Sequence, residues 1–161
     1  NKKNIVFAHK FLSENLLEEE KYRGKIRDKD VFVYSNEIPI YQGAKKEILE
    51  KEMDLFYKEI RSLISKEMTM NEIFYFAAMI HLVFVKIHPF ADGNGRMARL
   101  LEKWFLSQQL GKKAWFIQSE KLYQNRLKSY YGKMSMGPKY ESTNYDLSLP
   151  FLLLLPMSLT A

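Results

Sequence analysis

One twelve-residue stretch holds most of the side chains that could do chemistry: His88-Pro89-Phe90-Ala91-Asp92-Gly93-Asn94-Gly95-Arg96-Met97-Ala98-Arg99. Two glycines around Asn94 let the backbone take conformations closed to other residues, so that successive N–H groups converge on one point as an anion nest. The helix expected to start near Asn94 adds free N–H groups and the positive end of its dipole, which favour phosphate. Arg96 and Arg99, three apart, project from one side of that helix, with Lys103 a further turn along. Guanidinium groups suit bidentate phosphate contacts. Asp92 is a hard oxygen ligand of the kind Mg²⁺ takes alongside phosphate oxygens, and His88 is an imidazole able to accept a proton near neutral pH. A cradle, a metal carboxylate, a clamp and a base together point to phosphoryl or nucleotidyl transfer. The chain has no cysteine, which removes thiol nucleophiles and disulfides. The pattern G-x-x-x-x-G-K-[ST] is absent, and the spacing of His81 and His88 fits no zinc motif.

The elements that must position this stretch read as helices. Residues 73–85 are apolar on nearly every side and predict a buried central helix, capped by Thr69-Met70-Asn71-Glu72 as a capping box; at that length the run is too short to cross a bilayer, and His81 interrupts it. Met97, Leu100, Leu101, Trp104 and Phe105 predict an apolar face on the helix after the loop, with Gly111 as its stop. Ile5, Ala8, Leu12 and Leu16 mark an amphipathic first helix whose other face carries Glu14, Glu18 and Glu19, and Leu49, Met53, Phe56, Ile60 and Leu63 mark a long one running to about Lys66. Between them, after the basic stretch 23–27, residues 31–33 and 38–41 flank Ser35-Asn36-Glu37 and predict a β-hairpin, with Pro39 confining its second strand to an edge. Ser119 is expected to cap a helix ending at Gly132, and residues 150–156 form a last apolar piece between prolines. The 161 residues, 47% hydrophobic, therefore predict one all-α domain, residues 1–161, built on a central antiparallel helix pair with a small β-hairpin at about 31–42; residues 4–135 form its core and 136–161 a packing segment. A net charge of +6 favours anionic partners.

At this point the stretch resembles the Fic (filamentation induced by cAMP) domain family. It matches every fixed position of the motif H-x-F-x-[DE]-G-N-G-R-x-x-R, the signature of enzymes that move AMP from ATP to a protein hydroxyl, and residues 27–53 look like the Fic flap and the helix after it. The resemblance implies that His88 deprotonates a target Ser, Thr or Tyr hydroxyl and that Phe90 anchors the loop. It implies that Asp92 holds Mg²⁺ bridging the ATP phosphates, and that Gly93, Asn94 and Gly95 bind phosphates through backbone amides and the Asn94 side chain. Arg96 and Arg99 would grip the phosphates, with Arg99 nearest the γ-phosphate. Val33, Tyr34, Ile38, Ile40 and Tyr41 would clamp the target by adding a strand. Gly95 sets the chain apart from the Doc branch, whose kinases carry Lys there, and sides with the AMP transferases.

The implied function is a protein adenylyltransferase, with ATP as substrate, Mg²⁺ as cofactor, a target protein with an acceptor hydroxyl as partner and a cytoplasmic location. The alternatives are transfer of UMP or another phosphate-containing group, or a non-catalytic helical module that binds nucleotide or nucleic acid. Neither a membrane nor a nucleic acid is the expected partner, and homo-oligomerisation stays open. No Ser or Thr begins the inhibitory pattern [ST]-x-x-x-E-[GN]; Ser142 to Asp146, followed by Leu147, comes nearest. Inhibition of that kind is expected from a separate antitoxin-like protein or from residues before Asn1. Of the remaining histidines, His81 reads as a core or supporting residue and His9 as a surface one. Tyr123, Tyr130, Tyr131, Tyr140 and Tyr145 read as packing rather than base stacking.

Overall fold

The computed structural model describes residues 1–17 and 19–159. Helix α1 spans Lys2–Ser13, a hairpin of β1 (Phe32–Ser35) and β2 (Ile38–Gln42) follows, and three long helices come next: α2 (Lys46–Ile64), α3 (Met70–Ile87) and α4 (Asn94–Leu110). A 3₁₀ stretch at Gly111–Phe116 leads into α5 (Ser119–Asn125), α6 (Leu127–Lys133), α7 (Leu149–Leu152) and α8 (Leu154–Met157). The mainly helical fold with one two-stranded sheet agrees with the sequence.

Helices α3 and α4 form the centre. The short connection at 88–93 forces them antiparallel, and His81 on one accordingly meets Glu102 on the other, each a similar distance from the loop. The capping box forms as expected: Thr69 N–H donates to Glu72 Oε2 at 2.8 Å while Glu72 N–H donates to Thr69 Oγ1 at 3.4 Å. Along α3, Ala77, Ala78, Leu82 and Phe84 are fully enclosed and let α4 approach closely through Met97, Ala98 and Leu106. By length and composition α3, at 18 residues, could cross a membrane, which corrects the expectation that the run is too short; here it is wrapped by α2, α4 and the last two helices.

Several boundaries differ from the sequence reading for local reasons. Ser13 Oγ donates to the carbonyls of His9 and Lys10, competing with the helical ladder and ending α1. Leu16 therefore falls past the helix and is 60% exposed instead of facing the core. Glu18, assigned to the polar face of the first helix, lies outside the described residues. Trp104 is partly exposed at the rim of α4 rather than packed inside. Ser119 does not cap a helix; it is the buried first residue of α5, and the expected single helix to Gly132 breaks at Arg126 (φ −119°, ψ 35°). In the hairpin, Asn36 and Glu37 both take positive φ (48° and 66°), the geometry of a tight turn whose twist matches that of paired strands.

Because Phe84 is fully buried against Phe56 and Phe90, Phe84→Ala is expected to cost about 3–5 kcal/mol, read from denaturant unfolding.

Candidate active site

The loop 88–93 is buried at Pro89, Phe90 and Gly93 and exposed at Ala91 and Asp92, so the backbone groups of its buried part need partners other than water. His88 ends α3 in a left-handed conformation (φ 56°, ψ 59°). Phe90 is fully buried; its N–H donates to Asn94 Oδ1 at 2.9 Å, and Asn94 Nδ2 donates back to the Phe90 carbonyl at 2.8 Å. Oδ1 and one of the two Nδ2 hydrogens of the buried Asn94 side chain thus staple the loop, a role that the expectation of a phosphate ligand did not include. The Asn94 backbone N–H remains at the helix start. The first intrahelical bond of α4 runs from Met97 N–H to the Gly93 carbonyl at 3.0 Å, so the N–H groups of Asn94, Gly95 and Arg96 precede the ladder. Gly93 sits at φ +79°, and a Cβ there would meet His9 Nε2 at 2.9 Å, so only glycine fits.

Two side chains that the sequence reading left aside hold this loop from outside. His9 is buried at 1% exposure, not at the surface. Its ring stacks on Phe90 (3.7 Å between centroids, 7° between planes). Gly24 N–H donates to its Nδ1 at 3.0 Å, which fixes the hydrogen on Nε2, and that nitrogen donates to the Asp92 carbonyl at 2.9 Å. Burial, more than any other influence, holds its pKa below the ordinary histidine value. Arg27, also buried, donates to the carbonyls of His88 (2.7 Å), Lys29 (2.6 Å), Ala44 and Ile87 (3.3 Å), and so satisfies the open C-terminal end of α3. The sequence carries little trace of these roles, since every one of these contacts except that of Arg27 with Lys29 spans 15 residues or more.

His88 Nδ1 lies 3.0 Å from the Val85 carbonyl, an acceptor, so Nδ1 carries the hydrogen and Nε2 is the lone-pair nitrogen. Burial lowers its pKa to about 4, with Arg27 and Lys86 adding to the effect against the Val85 bond and Asp92. The base is therefore neutral at physiological pH. Asp92 points its carboxylate outward, 63% exposed, with Oδ2 accepting from Arg96 Nη2 at 3.1 Å. Arg99 extends over Gly95, where a methyl would lie 3.5 Å from its Nη1. Arg96 and Arg99 thus flank the nest. Lys103 does not: its Nζ is buried on the Ile117 carbonyl and beside Glu120 (3.3 Å).

The flap divides in two. Tyr34, Ile38 and Ile40 are exposed and Val33 is half-exposed, so these side chains stay available to a partner. Tyr41 is not; it is buried, its hydroxyl donates to the Lys86 carbonyl at 2.8 Å, and its ring lies 4.3 Å from Lys86 Nζ, so it anchors the hairpin. Lys86 in turn donates to the Met134 carbonyl at 2.6 Å, and burial lowers its pKa to about 8. Beyond Tyr41, Gln42 N–H donates to the Pro138 carbonyl at 2.9 Å, which closes that end of the edge.

Among the described residues, no group of three His, Cys, Asp or Glu side chains gathers in the manner of a protein-only metal cage. A single outward carboxylate, Asp92, beside helix-start amides free to bind an anion is a donor set that would suit Mg²⁺ carried by a nucleotide.

The turn of this helical domain sets a neutral imidazole beside free helix-start N–H groups and two guanidinium groups, side chains and amides suited to phosphate. Residues 1–106 match the Fic/DOC family, and the chain belongs to that family. The protein adenylyltransferase Fic of Nematostella vectensis is 44% identical over 78 residues, which are 48% of this chain and 16% of that protein. Among solved structures, a Fic family protein from Desulfovibrio desulfuricans superposes with a TM-score of 0.76 at 22% identity, over 100% of this chain and 45% of its own. A Fic domain containing signaling protein from Bacteroides thetaiotaomicron gives 0.69 at 20% identity, over 99% of this chain and 60% of its own. The chain therefore spans less than two thirds of each of these relatives.

His9→Ala removes the stack on Phe90 and leaves the Gly24 N–H and the Asp92 carbonyl without their partner. The expected cost is about 1–3 kcal/mol, together with faster amide exchange across residues 88–93, measured by mass spectrometry.

Proposed function

We propose that the protein transfers AMP from ATP to a hydroxyl of a target protein. What supports this reading most is the state of His88: Nδ1–H is committed to Val85 and the pKa is held near 4, so Nε2 is an unprotonated base beside an anion nest. In this reaction the target oxygen attacks the α-phosphorus, and its proton passes to His88 Nε2. The new O–P bond forms as the bond from the α-phosphorus to the bridging oxygen breaks, and pyrophosphate leaves. The N–H groups at the start of α4, with Arg96 and Arg99, bind the phosphates and meet the charge that builds on them. Asp92 would hold Mg²⁺, which when bound neutralises phosphate charge. Its present partner, Arg96, would then be free to meet the nucleotide.

The exposed side chains Val33, Tyr34, Ile38 and Ile40 would meet the target, with main-chain pairing along the hairpin edge up to Tyr41. Such pairing tolerates many sequences, so the acceptor is chosen largely by what else docks. The ion pairs among the described residues do not include Arg99. Asp146 is exposed, with its own N–H on Asn144 Oδ1. These residues are therefore expected to bind Mg·ATP without an activating substitution, and an inhibitory carboxylate against Arg99 would come from a separate protein or from residues before Asn1.

Transfer of label from α-labelled ATP, followed by mass spectrometry of the modified protein, tests the reading. The expected result is AMP addition to a Ser, Thr or Tyr, and addition of UMP or phosphate instead would move the protein to another chemistry. His88→Ala should lower the rate by about 10²–10⁴-fold while leaving ATP binding nearly intact, read by calorimetry.

The low pKa of His88 also has a stability consequence. The unfolded chain takes up a proton on this histidine near pH 6.5 and the folded one only near 4, so its contribution is fully present above 6.5 and lost as pH falls from 6.5 toward 4. The decline in Tm between pH 7 and pH 4.5 is expected to be shallower in His88→Ala than in the parent.

A further inference from the structure

Arg27 does more than close the carbonyl end of α3. While Nε donates to the His88 carbonyl at 2.7 Å, the rest of its guanidinium collects the carbonyls of Lys29, which leads into β1, and of Ala44, which follows β2. Its own backbone N–H donates to the Pro89 carbonyl at 3.0 Å, and Ile26 beside it bridges Phe90 as an isolated antiparallel pair. Both feet of the hairpin are therefore held by the side chain that holds the turn. The feet are also joined to each other and to α3: Gly43 N–H donates to the Val31 carbonyl at 3.1 Å, and Ala44 N–H to the Ile87 carbonyl at 3.1 Å.

At Gly43 the foot of the flap touches the base itself. A Cβ built there would lie 2.8 Å from the Cβ of His88, 3.1 Å from the Ile87 carbonyl and 3.2 Å from Arg27 Nη2, so a side chain has no room. The imidazole is thus held on one side by its own helix, through Nδ1 and the Val85 carbonyl, and on the other by the flap. Capping α3 alone would not call for this arrangement. A lysine can bond the last carbonyls of a helix, whereas meeting carbonyls from three segments at once takes the planar fork of a guanidinium with its five donors. The group is buried, and the ion pairs among the described residues do not include it.

We propose that Arg27 is a positioning residue for the base: by tying both feet of the flap to the His88 carbonyl, it fixes where an acceptor paired on the flap edge stands relative to Nε2. The reaction and the acceptor rest on the AMP-transfer reading, whereas the joint between flap and base does not. The helix-start N–H groups are held separately, since the Asn94 staple and the bond from His9 to the Asp92 carbonyl do not involve Arg27. Loosening the joint therefore acts on the transfer step and spares nucleotide binding. A misplacement of about 1 Å between reacting groups can cost about 10²-fold in rate.

Two variants test this. Arg27→Lys keeps the charge and loses the fork, and Gly43→Ala keeps every donor and sets a methyl against His88. Leu106→Ala, at a buried position toward the end of α4 away from the turn, is the control for lost stability. Labelling of the acceptor from saturating α-labelled Mg·ATP is expected to fall about 10- to 100-fold in both flap variants, with KM for ATP and calorimetric binding of Mg·ATP as in the parent. Leu106→Ala should keep the parent's rate per folded molecule. In NMR without nucleotide, the ring nitrogens of His88 should report one Nδ1–H tautomer in the parent and in Leu106→Ala, and shifted signals in both flap variants. The Arg27 guanidinium of the parent should show hindered rotation. Parent-like labelling in either flap variant, a matching loss of Mg·ATP binding, unshifted His88 signals or a freely rotating Arg27 would each overturn the proposal. If Arg27→Lys does not fold, Gly43→Ala decides, and if neither folds, the rotation of Arg27 in the parent decides. If the parent labels nothing, the AMP-transfer reading fails, and the NMR measurements still judge the joint.

Discussion

The structure depends on satisfying the backbone of a turn that is buried over half its length. Residues 88–93 connect two core helices, with Pro89, Phe90 and Gly93 in the interior and Ala91 and Asp92 at the surface, and in the interior an unpaired N–H or carbonyl costs about 1–3 kcal/mol. Three side chains from three places meet that demand: Asn94 from the helix that follows, Arg27 from the segment before the hairpin, and His9 from α1. Only with those carbonyls and amides committed are the N–H groups at the start of α4 left free to face an anion.

The same arrangement sets the electrostatics. Arg27 and Lys86 sit behind the turn and Arg96 and Arg99 in front of it, with Asp92 as the nearby carboxylate. Burial, helped by the charges of Arg27 and Lys86, keeps His88 neutral, which a base requires, while the excess of cations over one carboxylate favours an anion there. The guanidinium of Arg27 serves two ends, closing the carbonyl end of α3 and lowering the proton affinity of the imidazole next to it.

The hairpin is tied to this centre through its base and left free at its tip. Tyr41 and Lys86 join β2 to the end of α3, and Lys86 reaches on to Met134 while Pro138 holds Gln42. Residues 134–138 thereby link the flap to the C-terminal part of the chain. A partner adding a strand, as proposed, would meet an edge whose far end is already fixed, which would limit the register it could take.

The sequence by itself determined the central helices, the capping box at Thr69, the turn at 88–93 and the chemistry of its side chains, because periodicity, caps and a dense local motif act within a few residues. It could not assign His9, whose partners Gly24 and Asp92 are 15 and 83 residues away. An isolated histidine on an amphipathic helix carries no local mark of burial. For the same reason Tyr41 read as a contact for a partner although its hydroxyl lies on the Lys86 carbonyl, and the Asn94 side chain read as a phosphate ligand although Phe90 takes its Oδ1 and one of its Nδ2 hydrogens. Lys103 looked like a continuation of the arginine stripe until the fold placed the Ile117 carbonyl beside it. Residue type and spacing decide which chemistry is available along a chain. Which polar atoms are consumed by the interior, and which stay free to act, is decided only when distant segments close on one another and each buried group must find a partner.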